Sequence, residues 1–216
     1  MDRPQPVSPE LEVDLRNLRK LNRYFGSYRL IEHFLRRWIQ PRSSMRILDL
    51  ATGSGDIPRL IVDYARKVNA TVSIEAIDQQ TSTLEIARGL SGSYPEIEFS
   101  QGNILELKRD PSDIVFSSLA LHHFSETDAV TVLKRCRALS QKRVLVSDLR
   151  RGVVATVGVF LLTNLLFREE MTRVDARLSA ERAFSFSEFR SLAERAGWEN
   201  FGHKRFAFAR QAIWLE

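Results

Sequence analysis

Apolar residues recur along this chain at two periods. Leu11, Leu15, Leu18 and Leu21 are spaced by three and four, Gly26 interrupts, and Ile31, Phe34, Leu35 and Trp38 form a second stripe. Such spacing predicts two opening helices, which Pro41 closes. Short β-type runs then alternate with helical patterns. The expected order is strand Arg46–Leu50, helix Ile57–Val68, strand Thr71–Asp78, helix Ser82–Leu90, strands Ile97–Ser100 and Asp113–Ser117, helix Ser125–Leu139 and strand Arg143–Asp148. Alternation of this kind argues for βαβ units and a mostly parallel sheet. An apolar run follows, Val153–Phe167. Ser185 with Glu188 three residues on reads as a capping box for a helix that Gly197 ends. Phe201–Arg205 and Phe208–Leu215 read as a closing hairpin that gives the sheet an antiparallel edge.

Composition narrows the class. The 216 residues are 44% hydrophobic and 27% charged, ordinary globular values, and the length predicts one domain with a small excess. The lone cysteine, Cys136, excludes an internal disulfide framework and a cysteine-based zinc site, which points to a reducing, cytoplasmic setting. Residues 1–10 hold three prolines and no apolar core of a secretory signal, and are expected to be a loose, disordered tail. The Val153–Phe167 run would reach about 22 Å as a helix against a bilayer core of about 30 Å, so no transmembrane segment is expected. A formal charge of +5 permits an anionic partner without requiring one.

Chemistry concentrates at the ends of the strands. Ile47-Leu48-Asp49-Leu50-Ala51-Thr52-Gly53-Ser54-Gly55-Asp56 is a strand, a small-residue turn that lets a ligand touch backbone, and a helix start that Asp56 can cap. Ala51 and Pro58 break the glycine fingerprint of dinucleotide sites, and the carboxylates Asp49 and Asp56 suit a cationic ligand better than a diphosphate. The second strand ends on Asp78, followed by Gln79, where a carboxylate can accept both hydroxyls of a ribose. Gln101-Gly102-Asn103-Ile104 offers an amide for an adenine edge and an apolar cover for its ring. Asp113–Ser117 runs through Ser118 and Leu119 into a loop carrying His122 and His123.

The run LDLATGSGD with Asp78, then GNI, then SSLALHHF, resembles class I S-adenosylmethionine-dependent methyltransferases, especially the branch of ubiquinone and menaquinone biosynthesis and related small-molecule enzymes. The resemblance spans roughly Leu15 to Leu215. It implies a Rossmann-like, doubly wound α/β fold with a mostly parallel seven-stranded sheet, an antiparallel C-terminal edge and a helical lid. It also implies S-adenosylmethionine as cofactor: Asp49, Ala51, Gly53 and Gly55 at the methionine end, Asp78 and Gln79 at the ribose, Asn103 and Ile104 at the adenine, and Ser117, Ser118 and Leu119 beside the sulfonium. Ala51 stands where the family has its first glycine, and Asn103 where it more often has Asp. Leu21–Arg29 resembles the segment that closes over the cofactor in that branch, which makes Tyr24, Tyr28 and Arg29 candidates for touching substrate.

Methyl transfer from a sulfonium requires alignment rather than a metal or a covalent nucleophile. A phenolic acceptor would gain from a base, for which His122, His123 and Asp148 are candidates. Residues 11–42 are then lid helices and 43–216 the methyltransferase domain, within which 152–183 is an insertion that binds the acceptor. Arg150 and Arg151 at its start would give a basic mouth for an anionic or phenolate acceptor. The expected partner is a hydrophobic phenolic, quinone or polyketide-like molecule, methylated on oxygen in preference to carbon, by a monomer or homodimer. Two other readings stay open: methylation of nucleic acid, against which the loop after Asp113–Ser117 lacks a base-flipping motif, and a non-catalytic cofactor-binding or membrane-surface protein.

Overall fold

In the computed structural model, which describes residues 6–152, 158, 163, 165–167 and 169–216, a seven-stranded sheet is flanked by helices on both faces. Two helices lead, α1 (Pro9–Tyr24) and α2 (Ser27–Trp38). They are followed by β1 (Ser44–Leu50), α3 (Asp56–Lys67), β2 (Thr71–Asp78), α4 (Thr81–Leu90), β3 (Ile97–Gln101), β4 (Ser112–Ser118), α5 (Glu126–Ala138) and β5 (Ser140–Leu149). The chain ends with α6 (Glu170–Arg182), α7 (Phe186–Arg195), β6 (Gly202–Phe206) and β7 (Arg210–Leu215). Helix α1 begins at Pro9 because the Ser8 hydroxyl accepts from the Leu11 amide, so the helix reaches back into the segment expected as a tail.

The strand order is β3-β2-β1-β4-β5-β7-β6. From β1 the chain moves outward through β2 to β3, then returns to place β4 on the other side of β1. The sheet is therefore doubly wound, with its switch point between β1 and β4. All pairings are parallel up to β5; β7 runs antiparallel to both β5 and β6, and β6 takes the outer position of that hairpin edge. Because β7 is reversed, its first residues lie at the same rim as the C-terminal ends of β1 to β5.

Two apolar layers hold the sheet. Leu30, Ile31, Phe34, Leu35 and Trp38 of α2 join Ile57, Ile61 and Val62 of α3 over one face of the strands. Val132, Leu133 and Cys136 of α5 join Phe189, Leu192 and Ala193 of α7 over the other. Strand residues alternate between these layers, Val144 and Val146 facing one and Leu145 the other.

One helix runs against expectation. The charged segment from Arg168 to Asp175 reads in the sequence as holding a polar turn, yet Glu170–Arg182 is helical. Its buried positions are the small residues Thr172, Ala176 and Ala180, spaced by four, whereas Val174 and Leu178 are exposed. Small side chains let α6 approach α1 closely, where Asn17 Nδ2 lies 3.3 Å from Thr172 Oγ1. The apolar helix expected over Val153–Phe167 falls largely outside the described residues; Gly158, Thr163, Leu165 and Leu166 are helical.

The closing hairpin has a tight internal contact. A Cβ on Gly202 of β6 would lie 2.0 Å from the Trp214 ring on β7, its cross-strand partner. Gly202→Ala should therefore destabilise the protein by about 1–3 kcal/mol, the usual range for overpacking. Urea denaturation followed by tryptophan fluorescence would measure it; a neutral result would mean that Trp214 does not pack on this backbone.

Candidate functional site

At the switch point the ends of β1 and β4 part, and ligands bind such crevices in open α/β sheets. Two adjoining cavities occupy this rim. The smaller, about 150 Å³, is lined by residues following β1 to β4, among them Ala51, Gly53, Asp78, Gln79, Asn103, Ile104 and Leu119. The larger, about 560 Å³, lies beneath α1 and shares Ala51, Gly53, Leu119 and His123 with the first. Its walls include Leu15, Leu18, Phe25, Ser118, His122, Arg150, Phe208 and Arg210.

The turn after β1 is built on unusual backbone. Ala51, Gly53 and Gly55 all have positive φ, 58°, 54° and 71°. For Ala51 that conformation costs about 1–2 kcal/mol, a strain glycine would not carry. Gly55 is not a cavity residue, contrary to its expected ligand role. It caps α3 in the left-handed region, and a Cβ there would lie 2.8 Å from the Phe99 ring. Asp56 correspondingly is not the cap. It occupies the first helical position, and its Oδ2 accepts from Asn22 Nδ2 at 3.0 Å and from Tyr28 Oη at 3.2 Å. One carboxylate thus ties α1 and α2 to the ligand loop.

Asp78 is fixed by the same logic: its Oδ2 accepts from the Gly53 amide at 2.9 Å and its Oδ1 from the Gln80 amide at 3.0 Å. Burial pushes its carboxyl upward, and the backbone amides of Gln80, Gly53 and Gln79 oppose this. Asp49 lines neither cavity. Its side chain is enclosed under the loop, where burial raises it to about 7, with Asp56 and Asp78 adding repulsion. Asn103 Oδ1 accepts from the Leu105 amide, so its Nδ2 is the end left to face a ligand, and Ile104 is buried beside it. Ser117 is also absent from the walls of these two cavities; its hydroxyl is buried without a hydrogen-bond partner among the described residues.

His122 and Asp148 form a buried pair. Asp148 Oδ1 lies 2.6 Å from His122 Nδ1, and Asp148 Oδ2 accepts from the His122 amide at 2.9 Å. A carboxylate accepts, so the hydrogen of this bond sits on Nδ1, and in the neutral ring that arrangement leaves the lone pair on Nε2. Nε2 is buried, has no hydrogen-bond partner among the described residues and belongs to a side chain that lines the larger cavity. His123 lines both cavities from an exposed position.

The residues expected at the substrate separate. Arg150 lines the larger cavity, whereas Arg151 pairs with Glu188 at the start of α7; adjacent residues of an extended chain point to opposite sides. Tyr24 is 64% exposed and Arg29 is exposed, both away from the cavity. Tyr28 acts on Asp56 rather than on the cavity, and the carboxylate and burial push its hydroxyl upward. Arg210, which no local signal marks, is buried on the cavity wall with Nε donating to Ser27 Oγ at 2.9 Å. Its burial depends on β7 pairing with β5, a contact between segments some 60 residues apart.

Asp49 makes stability depend on pH. Its folded value stands above the ordinary 3.8, so the neutral form favours the fold. The contribution is complete below about pH 4 and is lost as pH rises through about 7. Asp14, raised to about 6 by burial between α1 and α6, acts in the same direction. Thermal melts of the ligand-free protein from pH 5 to 8 should show Asp49→Asn gaining stability over the wild type with rising pH. A constant difference across that range would refute this assignment.

Comparison with known proteins agrees with this architecture. A family model described as a methyltransferase domain matches residues 41–197. A 2-phytyl-1,4-naphtoquinone methyltransferase of Thermosynechococcus vestitus is 32% identical over 87 residues, 40% of this chain and 37% of that protein. A SAM-dependent methyltransferase from Aquifex aeolicus superposes with a TM-score of 0.65 at 15% identity, over 94% of this chain and 96% of that one. An O-methyltransferase family 2 protein from Planctomyces limnophilus, in complex with apigenin, superposes with a TM-score of 0.63 at 18% identity. That match covers 94% of this chain and 60% of the other, so the chain spans less than two thirds of both the naphthoquinone enzyme and this relative.

Proposed function

Given that the chain belongs to the methyltransferase domain family, and has the class I fold, we propose that it transfers a methyl group from S-adenosylmethionine to an oxygen of a hydrophobic phenolic, quinone or polyketide-like acceptor. The observation that carries this reading is the buried His122–Asp148 pair, whose imidazole borders the larger cavity and whose Nε2 has no hydrogen-bond partner among the described residues.

The smaller cavity fits the cofactor chemically. Asp78 is a carboxylate held by backbone amides at the end of β2, suited to accept ribose hydroxyls. Asn103 Nδ2 and Ile104 offer an edge and a cover for adenine, and Gln79 extends the same wall. Ala51 and Gly53 present backbone where the two cavities meet, and the carboxylate of Asp56 on the neighbouring wall suits a cationic ligand. When bound, S-adenosylmethionine supplies its methyl as an electrophile already activated by positive sulfur. Ser118 and Leu119, on the walls at the end of β4, would flank that end, with Ser117 behind them.

The remaining work falls to the chain. The apolar wall of Leu15, Leu18 and Phe25 excludes water from the acceptor and fixes its approach, and alignment of this kind is worth up to about 7–11 kcal/mol. A phenol with a pKa near 10 is ionised to about one part in a thousand at neutral pH, a deficit of about 4 kcal/mol that a base offsets. His122 Nε2 takes the phenolic proton, and Asp148 holds the ring in the tautomer that can do so and stabilises the imidazolium formed. His123 borders both cavities and would contact the acceptor from its exposed side.

This division of labour separates binding from turnover. Asp78→Ala should weaken S-adenosylhomocysteine binding by about 10-fold or more in calorimetry, since two ribose contacts are lost. His122→Gln and Asp148→Asn should lower kcat on a phenolic acceptor by about 100-fold or more and leave that affinity within about twofold. Unchanged kcat in both variants would exclude the base. Product carrying the methyl on carbon would replace the oxygen reading.

A further inference from the structure

Three arginines line the larger cavity, Arg19 on α1 and, together on another part of the wall, Arg150 and Arg210. Arg210 opens β7, and Arg150 follows β5 directly beside it, its amide donating to Ala209 O at 2.7 Å. The two side chains therefore start from neighbouring backbone at one end of the β5–β7 ladder, and both line the cavity. Arg210 is 7% exposed and its side chain makes one hydrogen bond among the described residues, to the neutral Ser27 hydroxyl. Arg150 Nε is buried with no hydrogen-bond partner among the described residues. Neither arginine forms an ion pair among the described residues; the adjacent Arg151 does, with Glu188. The acids on or near this wall have contacts elsewhere: Asp148 with His122, Asp56 with Asn22 and Tyr28, and Asp175 on α6 with Asp14.

A cation taken out of water costs several kcal/mol unless an anion meets it. Burial does pull Arg210 down, to about 10, with Asp148 opposing, which leaves it charged at neutral pH. Where β5 meets β7 the cavity thus holds two positive forks, and its wall also offers the apolar side chains of Leu15, Leu18, Phe25 and Phe208. A single phenolate would leave one fork unmatched. A carboxylate presents two acceptor oxygens to such forks and supplies the missing charge.

We propose that the acceptor is an acidic phenol, an apolar aromatic ring that carries a carboxylate besides the hydroxyl to be methylated, and that Arg150 and Arg210 are specificity-determining residues that clamp this carboxylate. The inference rests on reading the larger cavity as the acceptor's chamber. Arg150 is anchored at the strand end and Arg210 is held by Ser27 at the start of α2, so the clamp sets the acid group against the lid junction and leaves the rest of the ring to reach towards His122.

Calorimetry with S-adenosylhomocysteine present, using a hexyl-substituted hydroxybenzoate and its methyl ester as probes, tests the clamp without turnover. The ester keeps the ring and chain and removes only the charge. The wild type should bind the acid about 10-fold or more tightly than the ester. Arg150→Gln and Arg210→Gln should reduce that ratio towards one, with affinity for S-adenosylhomocysteine unchanged within about twofold. Should Arg210→Gln fail to fold, Arg150→Gln still tests the proposal, and Arg210→Lys, which keeps the charge, should retain part of the preference. Equal affinity for acid and ester, or a preference that survives in Arg150→Gln and Arg210→Gln alike, would overturn it. Preference for the acid with no methylated product in any assay would support the clamp and remove the transfer reading. Loss of S-adenosylhomocysteine binding in the wild type would remove the cofactor reading alone.

Discussion

The return of the chain from β3 across β1 to β4 is the constraint on which the rest of the structure depends. Once neighbouring strands lead their connections to opposite sides, their C-terminal ends cannot be covered by either helical layer. The crevice left there must be closed by something outside the βαβ units. In this chain that role falls to α1, α2 and α6, with α1 lying over the larger cavity and α6 packed on it through Thr172, Ala176 and Ala180. The Asp56 carboxylate joins α1 and α2 to the start of α3 beside the loop after β1.

Charge at the rim is divided in the same way. Asp49, Asp56 and Asp78 gather around the loop after β1 and at the end of β2, and their mutual repulsion together with burial raises Asp49 to about 7. Arg150 and Arg210 stand at the far end, where β5 and β7 meet. A cation favours the first region and an anion the second. The His122–Asp148 pair lies between them, at the end of β4 and β5. Such a gradient suits a reaction in which a positively charged donor meets an acceptor that becomes negative as it loses its proton.

Much of this was legible in the residues, and for physical reasons. Strands, helices and their alternation follow from apolar periodicity, which burial enforces, and the strand-end positions of Asp78, Asn103 and Leu119 follow from the turn chemistry beside them. Helix α6 was hidden because its buried side is made of Thr and Ala, while its larger apolar residues face outward. Directions of side chains were hidden too. Arg150 and Arg151 are equivalent in composition and differ only in the side of the backbone from which they leave. Tyr28, expected at a substrate, holds Asp56 instead, and Gly55 shapes a turn rather than meeting a ligand. Arg210 became part of the site only through the pairing of β7 with β5, a contact that no local pattern encodes.

The most direct test of the account is a crystal structure with S-adenosylhomocysteine bound, because it locates the sulfur relative to the two cavities. The expected result has adenine against Asn103 and Ile104, ribose on Asp78, and sulfur at the wall shared through Ala51 and Leu119, with His122 Nε2 across the larger cavity. A sulfur directed away from that cavity, or a His122 ring turned out of it, would contradict the assignment of the two chambers and of the base.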